Sequence, residues 1–73
     1  MLNRMQANRG NVAKVRYLES DFQVLTPGTH VVCAITGQSI PLDELKYWNP
    51  ERQEAYVDAV ASQKAEVQAG NLD

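Results

Sequence analysis

The chain has 73 residues and a mass of 8.1 kDa, which allow one small domain. Its hydrophobic fraction of 44% and charged fraction of 22% are those of a globular protein and exclude a fully disordered chain. The single cysteine excludes an internal disulfide, and Cys33 and His30 alone cannot complete the tetrahedral ligand set of a structural zinc ion. A net charge of −2 excludes a general polyanion binder.

Charge is distributed unevenly along the chain. Residues 1–16 contain four basic residues and no acidic one, and all nine acidic residues follow them. Residues 1–11 also show no hydrophobic period, so we predict a disordered basic arm there, a single domain over 12–70 and a tail over 71–73. The basic residues of the first segment are Arg4, Arg9, Lys14 and Arg16.

The sequence shows no targeting or membrane segment. Its first residues lack the apolar run of a secretory signal. The longest stretch without Asp, Glu, Lys or Arg, residues 22–42, is interrupted by two prolines and two glycines, which argue against a membrane span. A lone thiol fits a reducing compartment, so we expect a cytoplasmic protein without membrane contact.

The first half of the domain has the pattern of β-strands. Residues 14–17 and 22–24 alternate between apolar and polar side chains. Pro27 and Gly28 fit the centre of a type II turn over 26–29, and both faces of residues 30–35 are mostly apolar. These patterns predict a three-stranded antiparallel meander whose third strand is the most buried.

Residues 42–48 have two readings. Asp43 could cap one helical turn, or Asp43 and Glu44 could turn a second short hairpin. The alternation of Leu45 and Tyr47 with a lysine between them favours the hairpin. In that arrangement Tyr47 faces the core and Trp48 lies at an edge.

An amphipathic helix over 50–69 is predicted to follow. Asn49 is a favoured N-cap, Pro50 suits the first helical position and Gly70 suits the residue after the C-cap. The stripe expected to pack against the sheet consists of Tyr56, Val60 and Val67. The predicted fold class is therefore α+β, with a small antiparallel sheet and one C-terminal helix.

Several segments, in a specific order and spacing, resemble a small bacterial family of unknown function, domain of unknown function 2093. The resemblance covers about residues 13–62 and includes residues 17–22, the Pro27-Gly28 pair, residues 33–48 and residues 52–56. That family has no established activity, so the resemblance implies membership and no mechanism.

A shorter resemblance lies within residues 33–45. The pattern Cys33-x-x-Thr36-Gly37-x-x-Ile40-Pro41 is similar to the knuckle of treble-clef zinc fingers, in which a second cysteine stands at the position of Thr36. The other ligand pair of those fingers lies near the start of the helix, and residues 52–57 contain no cysteine or histidine. The resemblance implies a metal-free, treble-clef-like domain in which Gly37 is still needed for the turn.

The candidate catalytic residues do not form a set. Cys33 and His30, three apart on one strand, would point to opposite faces and could not act as nucleophile and base. Asp43 and Glu44 are explained by a solvated turn and need no cleft that separates their pKa values. We therefore predict a protein that is not an enzyme and has no cofactor.

The leading functional hypothesis is a small non-catalytic domain that binds another protein or acts as an adaptor. Aromatic residues dominate binding hot spots when they are exposed. The expected contact surface consists of Tyr47, Trp48 and Val67.

Two alternatives stay open. The first is a nucleic-acid-associated accessory protein that uses the basic residues Arg4, Arg9, Lys14 and Arg16. The second is a degenerate or inter-subunit zinc site, in which Cys33 and His30 would meet their counterparts across a two-fold axis.

Overall fold

The computed structural model describes residues 10–70. Most of the predicted basic arm, with Arg4 and Arg9, and the predicted tail over 71–73 lie outside the described residues. The elements in chain order are β1 (Lys14–Tyr17), β2 (Phe22–Thr26), β3 (His30–Val32), β4 (Ser39–Pro41), a 3-10 turn (Leu42–Glu44), β5 (Tyr47–Asn49), β6 (Glu54–Tyr56) and α1 (Ala59–Gln68). The α+β fold class is confirmed.

The strands form three antiparallel pairs, β1 with β2, β3 with β4 and β5 with β6, in place of the predicted meander. The third strand, β3, pairs with β4, the strand that follows it. This pairing is possible because Gly37, at φ 78°, closes a tight knuckle between them, in which the Gly37 N–H donates to the Cys33 carbonyl at 3.0 Å. The Ala13 N–H donates to the His30 carbonyl at 2.7 Å, which places residues 11–13 beside the start of β3. Both edges of β3 are therefore paired, and β2 cannot pair with this strand.

Within residues 42–48, Leu42–Glu44 form a helical turn, and the predicted hairpin with its turn at Asp43 and Glu44 is wrong. The Leu45 N–H donates to the Leu42 carbonyl at 3.3 Å, which closes the 3-10 turn over Asp43 and Glu44. The chain then enters β5, whose partner is β6. The sequence alternation of residues 45–47 is real, but it belongs to the entry into β5.

The predicted C-terminal helix is present, but its predicted start at residue 50 is wrong, because α1 begins at Ala59. Asn49 makes the bond of an N-cap, its Oδ1 accepting from the Arg52 N–H at 2.8 Å, but Gln53 then takes φ 54°, which ends the helical path. Residues 50–53 therefore form the loop of the β5–β6 hairpin, and Tyr56 lies in β6. Asp58 is the N-cap of α1, its Oδ1 accepting from the Ala61 N–H at 2.8 Å. Over residues 10–70, no helix is long and apolar enough to cross a membrane.

The core lies where the three strand pairs and α1 meet. Its largest fully buried side chains are Tyr56, Ile40 and Cys33, and partly buried Phe22 and Trp48 pack against it. The other buried hydrophobic residues are Ala13, Tyr17, Val31, Leu45, Ala55, Ala61 and Ala65.

Two side chains join the β1–β2 pair to the β5–β6 pair. The Gln53 amide accepts from the Tyr17 N–H at 2.9 Å and donates to the Tyr17 carbonyl at 2.7 Å, so it pairs with β1 as a neighbouring strand would. The same amide donates to the Pro50 carbonyl at 2.6 Å. Trp48 Nε1 donates to the Leu18 carbonyl at 2.6 Å. No backbone ladder links these two pairs, so side chains fix their relative position.

Candidate functional site

The face of α1 that packs against the strands and the face that is exposed are the reverse of the predicted ones. The face that packs on the β5–β6 hairpin carries Ala61 and Ala65, which are 2% and 4% exposed. The opposite face carries Val60 and Val67, which are 64% and 53% exposed. The prediction that the two valines face the sheet is therefore wrong. Alanines fit the close approach of helix and hairpin, and the larger apolar side chains are left at the surface.

The exposed valines form one surface, which we call the outer face of α1 and define by Val60, Gln63, Lys64 and Val67. Residues three, four and seven apart share a side of a helix, so these four lie together. With Gln68 they line a shallow recess of about 450 Å³. The surface has a valine towards each end, with Gln63 and Lys64 between them in sequence, and it carries one positive charge.

A polar network holds α1 on the hairpin. Arg52 Nη2 donates to Glu66 Oε2 at 2.9 Å and to the Tyr56 hydroxyl at 3.2 Å. Arg52 Nε donates to Glu54 Oε2 at 3.3 Å, and the Tyr56 hydroxyl donates to the same oxygen at 2.9 Å. Asn49 Nδ2 reaches Glu66 Oε2 at 3.5 Å. The network fixes the helix from its inner side, so the outer face is presented in one orientation.

The protonation of Tyr56 suits its place in this network. Burial raises the pKa of the Tyr56 hydroxyl, and the bond to Glu54 raises it further, whereas the bond from Arg52 lowers it. The net shift is upward, so at neutral pH the hydroxyl keeps the proton that it donates to Glu54. Arg52 supplies the positive charge that offsets the two carboxylates.

The three predicted partner-binding residues have different environments. Trp48 packs on Tyr17 with a centroid distance of 6.2 Å and on Phe22 with a centroid distance of 5.6 Å. With its bond to the Leu18 carbonyl, it holds the β1–β2 pair in place and is not at an open edge. Tyr47 is the exposed one of the two aromatic residues, so the expectation of Tyr47 inside is wrong. Val67 is exposed on the outer face of α1, whereas Tyr47 lines a separate recess with Lys46 and Val57.

The basic residues of the alternative hypothesis are placed only in part. Lys14 and Arg16 are exposed and lie on the same face of β1, because strand residues two apart point the same way. Opposite them on β2 stand the uncharged Thr26 and Gln23. Arg4 and Arg9 lie outside the described residues.

Cys33 is the buried centre of the knuckle. Its Sγ accepts from the Thr36 N–H at 3.4 Å and from the Val57 N–H at 3.3 Å. Burial raises the pKa of the thiol, but the hydrogen bonds from Thr36, Ile35 and Val57 outweigh it, so the net pKa lies below its ordinary value. Val57, which donates one of these bonds, lies between β6 and α1.

His30 makes its contact elsewhere. Its Nδ1 lies 2.8 Å from the Thr29 hydroxyl, at the surface. Within residues 10–70, no group of three or more His, Cys, Asp or Glu side chains is placed to hold a metal ion. The knuckle is therefore organised by backbone hydrogen bonds to sulfur.

Sequence reasoning missed several residues of this region. The sequence analysis assigns Val60 to the inner stripe and names neither Gln63 nor Lys64 as a contact residue. The alanines at 61 and 65, four apart on one face and beside a glutamate that pairs with Arg52, are the signal that could have identified the inner side. Gln53 gave no signal, since its role depends on a partner 36 residues away.

The described residues thus define a small α+β domain of three strand pairs and one helix, with its candidate site on the outer face of that helix. Residues 24–65 match the family model described as an uncharacterized protein conserved in bacteria (DUF2093). The chain belongs to this family, as the resemblance implied. No curated protein and no solved structure matches the chain.

Proposed function

We propose that this chain is a non-catalytic protein-binding domain whose contact surface is the outer face of α1. The observation that carries the proposal is the reversed helix, which buries its alanines and exposes Val60 and Val67. Neither valine is needed for the packing of α1 on the hairpin. An apolar stripe without a role in folding gains free energy when a partner covers it, by about 0.8 kcal/mol per buried methylene-sized group.

The described part of the chain favours binding over catalysis. Cys33 is the only cysteine in the sequence, and its sulfur is buried against two backbone N–H groups, where no substrate reaches it. The carboxylates of Glu54 and Glu66 are paired with Arg52. These groups support the fold and the position of α1.

The chemistry of the surface indicates its partner. α1 has ten residues and a length of about 15 Å, which fits the side of one partner helix. Lys64 lies between the valines in sequence and on the same face. The matching partner is an amphipathic helix with an apolar stripe and a carboxylate that can reach Lys64.

The double substitution V60A/V67A tests this proposal. Alanine favours helices more than valine does, so we expect the free energy of unfolding to stay equal or rise slightly. Each substitution removes two methyl groups from the contact, and the pair should weaken partner binding about 100-fold if the partner covers both valines. Partners captured from a bacterial lysate are compared between wild type and variant, and affinity is then measured with the purified partner.

The matched control is V12A/V32A, which removes the same groups from two exposed valines outside α1. Binding should survive this change. Equal capture by wild type and V60A/V67A would contradict the proposal, and so would equal loss in both double variants.

A second candidate function is nucleic-acid association, which the exposed pair Lys14 and Arg16 on one face of β1 supports. Two phosphate contacts give a slope of log affinity against log salt of about −1.8 for duplex DNA. We expect K14Q/R16Q to remove the part of this slope that the two β1 residues contribute. The affinity is measured by fluorescence anisotropy of a short DNA duplex between low and physiological salt. Binding with no salt dependence, or no binding at low salt, would reject this candidate.

A further inference from the structure

We propose that two copies of this chain associate through the outer edge of β2, with Val24 on a two-fold axis. This surface lies on the β1–β2 pair and includes no residue of α1. Within residues 10–70 the strand is open on one side, because its two-stranded sheet contains only β1 and β2. An open strand edge presents unpaired N–H and C=O groups to which another strand can add.

The contacts of Tyr17 determine which N–H and C=O groups of β2 point away from β1. The Tyr17 N–H and carbonyl both bond to the Gln53 side chain, so they point away from β2. Tyr17 and Phe22 therefore form a non-hydrogen-bonded pair, and pair types alternate along an antiparallel ladder. Arg16 and Gln23 form a hydrogen-bonded pair and Val15 and Val24 a non-hydrogen-bonded one. Both backbone groups of Val24 thus point outward, at the last regular pair before the register shifts by one residue at Leu25.

Outward groups on a central residue suit self-pairing. Across a two-fold axis at Val24, the N–H of each copy can donate to the Val24 carbonyl of the other, which makes the contact isologous. Among the hydrogen bonds outside the helix and the strand ladders of residues 10–70, none uses these two groups. The side chains of Val24 and Leu25 are 46% and 62% exposed, so the edge is also apolar.

The charges are compatible with a second copy. Phe22–Thr26 contains no charged residue, so like charges do not meet at the axis. In this antiparallel register, the loop that carries Glu19 and Asp21 in one copy lies beside the end of the ribbon that carries Lys14 in the other. Lys14 is opposite Thr26, so acid and base are separated by about two strand spacings, ~10 Å, which is about one Debye length at 0.1 M salt.

The size of the contact sets the expected strength. A five-residue strand offers much less than the ~800 Å² per partner of a standard interface. We therefore expect a weak dimer, populated at about 0.1–1 mM protein and dissociated at about 10 µM. Salt should weaken it modestly, because the acid–base approach is solvent-exposed.

Sedimentation equilibrium of the full chain over this concentration range tests the proposal. V24K places two ammonium groups at the axis and should raise the dissociation constant at least about tenfold. V24P removes the outward N–H while leaving the ladder to β1 intact, and should have a similar effect. V32K, the same change at an exposed valine of β3, is the matched control and should leave the dimer unchanged.

Amide spectra establish that each variant is folded. A measurement on unaltered protein completes the test: in a mixture of isotope-labelled and unlabelled chains, intermolecular magnetisation transfer should centre on the Val24 amide. A monomer at about 1 mM, transfer centred on other residues, or equal weakening by V24K and V32K would each overturn the proposal.

Discussion

Replacing Trp48 with alanine is expected to unfold most of the protein. The indole packs on Tyr17 and Phe22, and its N–H donates to the Leu18 carbonyl, so it connects the β1–β2 pair to β5. A Trp→Ala change at a fully buried position costs about 3–5 kcal/mol, and for the partly buried Trp48 we expect about 3 kcal/mol, which is most of the total margin of a domain of this size. Urea titration followed by far-UV circular dichroism should show little or no folded baseline.

Trp48→Phe is the informative comparison. Phenylalanine keeps a ring against Tyr17 and Phe22 and loses the hydrogen bond to Leu18, so we expect a loss of about 1 kcal/mol. If W48A instead keeps the unfolding midpoint of the wild type, Trp48 does not hold the two pairs together and regains its place as a candidate contact residue.

Gly28→Ala is expected to be the second severe change. A Cβ at this position would stand 2.4 Å from the Ala13 nitrogen and 2.6 Å from the Asn11 carbonyl oxygen. Both neighbours are backbone, and both hold residues 11–13 beside β3 through the bonds Thr29 N–H to Asn11 and Ala13 N–H to His30. The added methyl must break or stretch these bonds, so we expect a loss of about 3 kcal/mol in urea unfolding.

Gly37→Ala provides the contrast. Gly37 has φ 78°, and beyond its two chain neighbours no heavy atom of the described residues lies within 4 Å of the added Cβ, so the cost is that of backbone conformation alone, about 1–2 kcal/mol. G28A should therefore be the more destabilising of the two. The reverse order would show that the segment over 11–13 is not held against β3 as described.

The sequence predicted those parts of the fold whose cause is local. The knuckle at Gly37 depends on residues a few positions apart, and it is present. The predicted type II turn over 26–29 is wrong, because Gly28 is not at positive φ and the Thr29 N–H donates to the distant Asn11 carbonyl. The start of α1 was misplaced because Asn49 and Pro50 carry cap chemistry that also suits a hairpin loop. What decides between helix and loop is Gln53, whose amide bonds to Tyr17 from a distance of 36 residues. No pattern near residue 53 contains that information.

The candidate site was predicted in part for the same reason. Alternation showed that only one of Tyr47 and Trp48 faces inward, and the structure confirms that separation. Which one does so depends on the β1–β2 pair, which covers Trp48. On α1, the larger apolar residues were assigned to the inner face because burial favours them in general. Here the Arg52–Glu66 bond draws the helix close to the hairpin, and only Ala61 and Ala65 fit between.

The division of the strands into three separate pairs has a consequence for how the chain reaches its fold. Each pair closes over a short loop, so each can form early and independently, at a small loss of chain entropy. A slip of register in one pair does not pass to the next, since no ladder connects them. Cooperativity must then come from contacts between the pairs, which are the backbone bonds Ala13 N–H to His30 and Ala34 N–H to Ala55 and the side chains of Gln53 and Trp48. The cooperativity of folding therefore depends on the contacts between the three strand pairs.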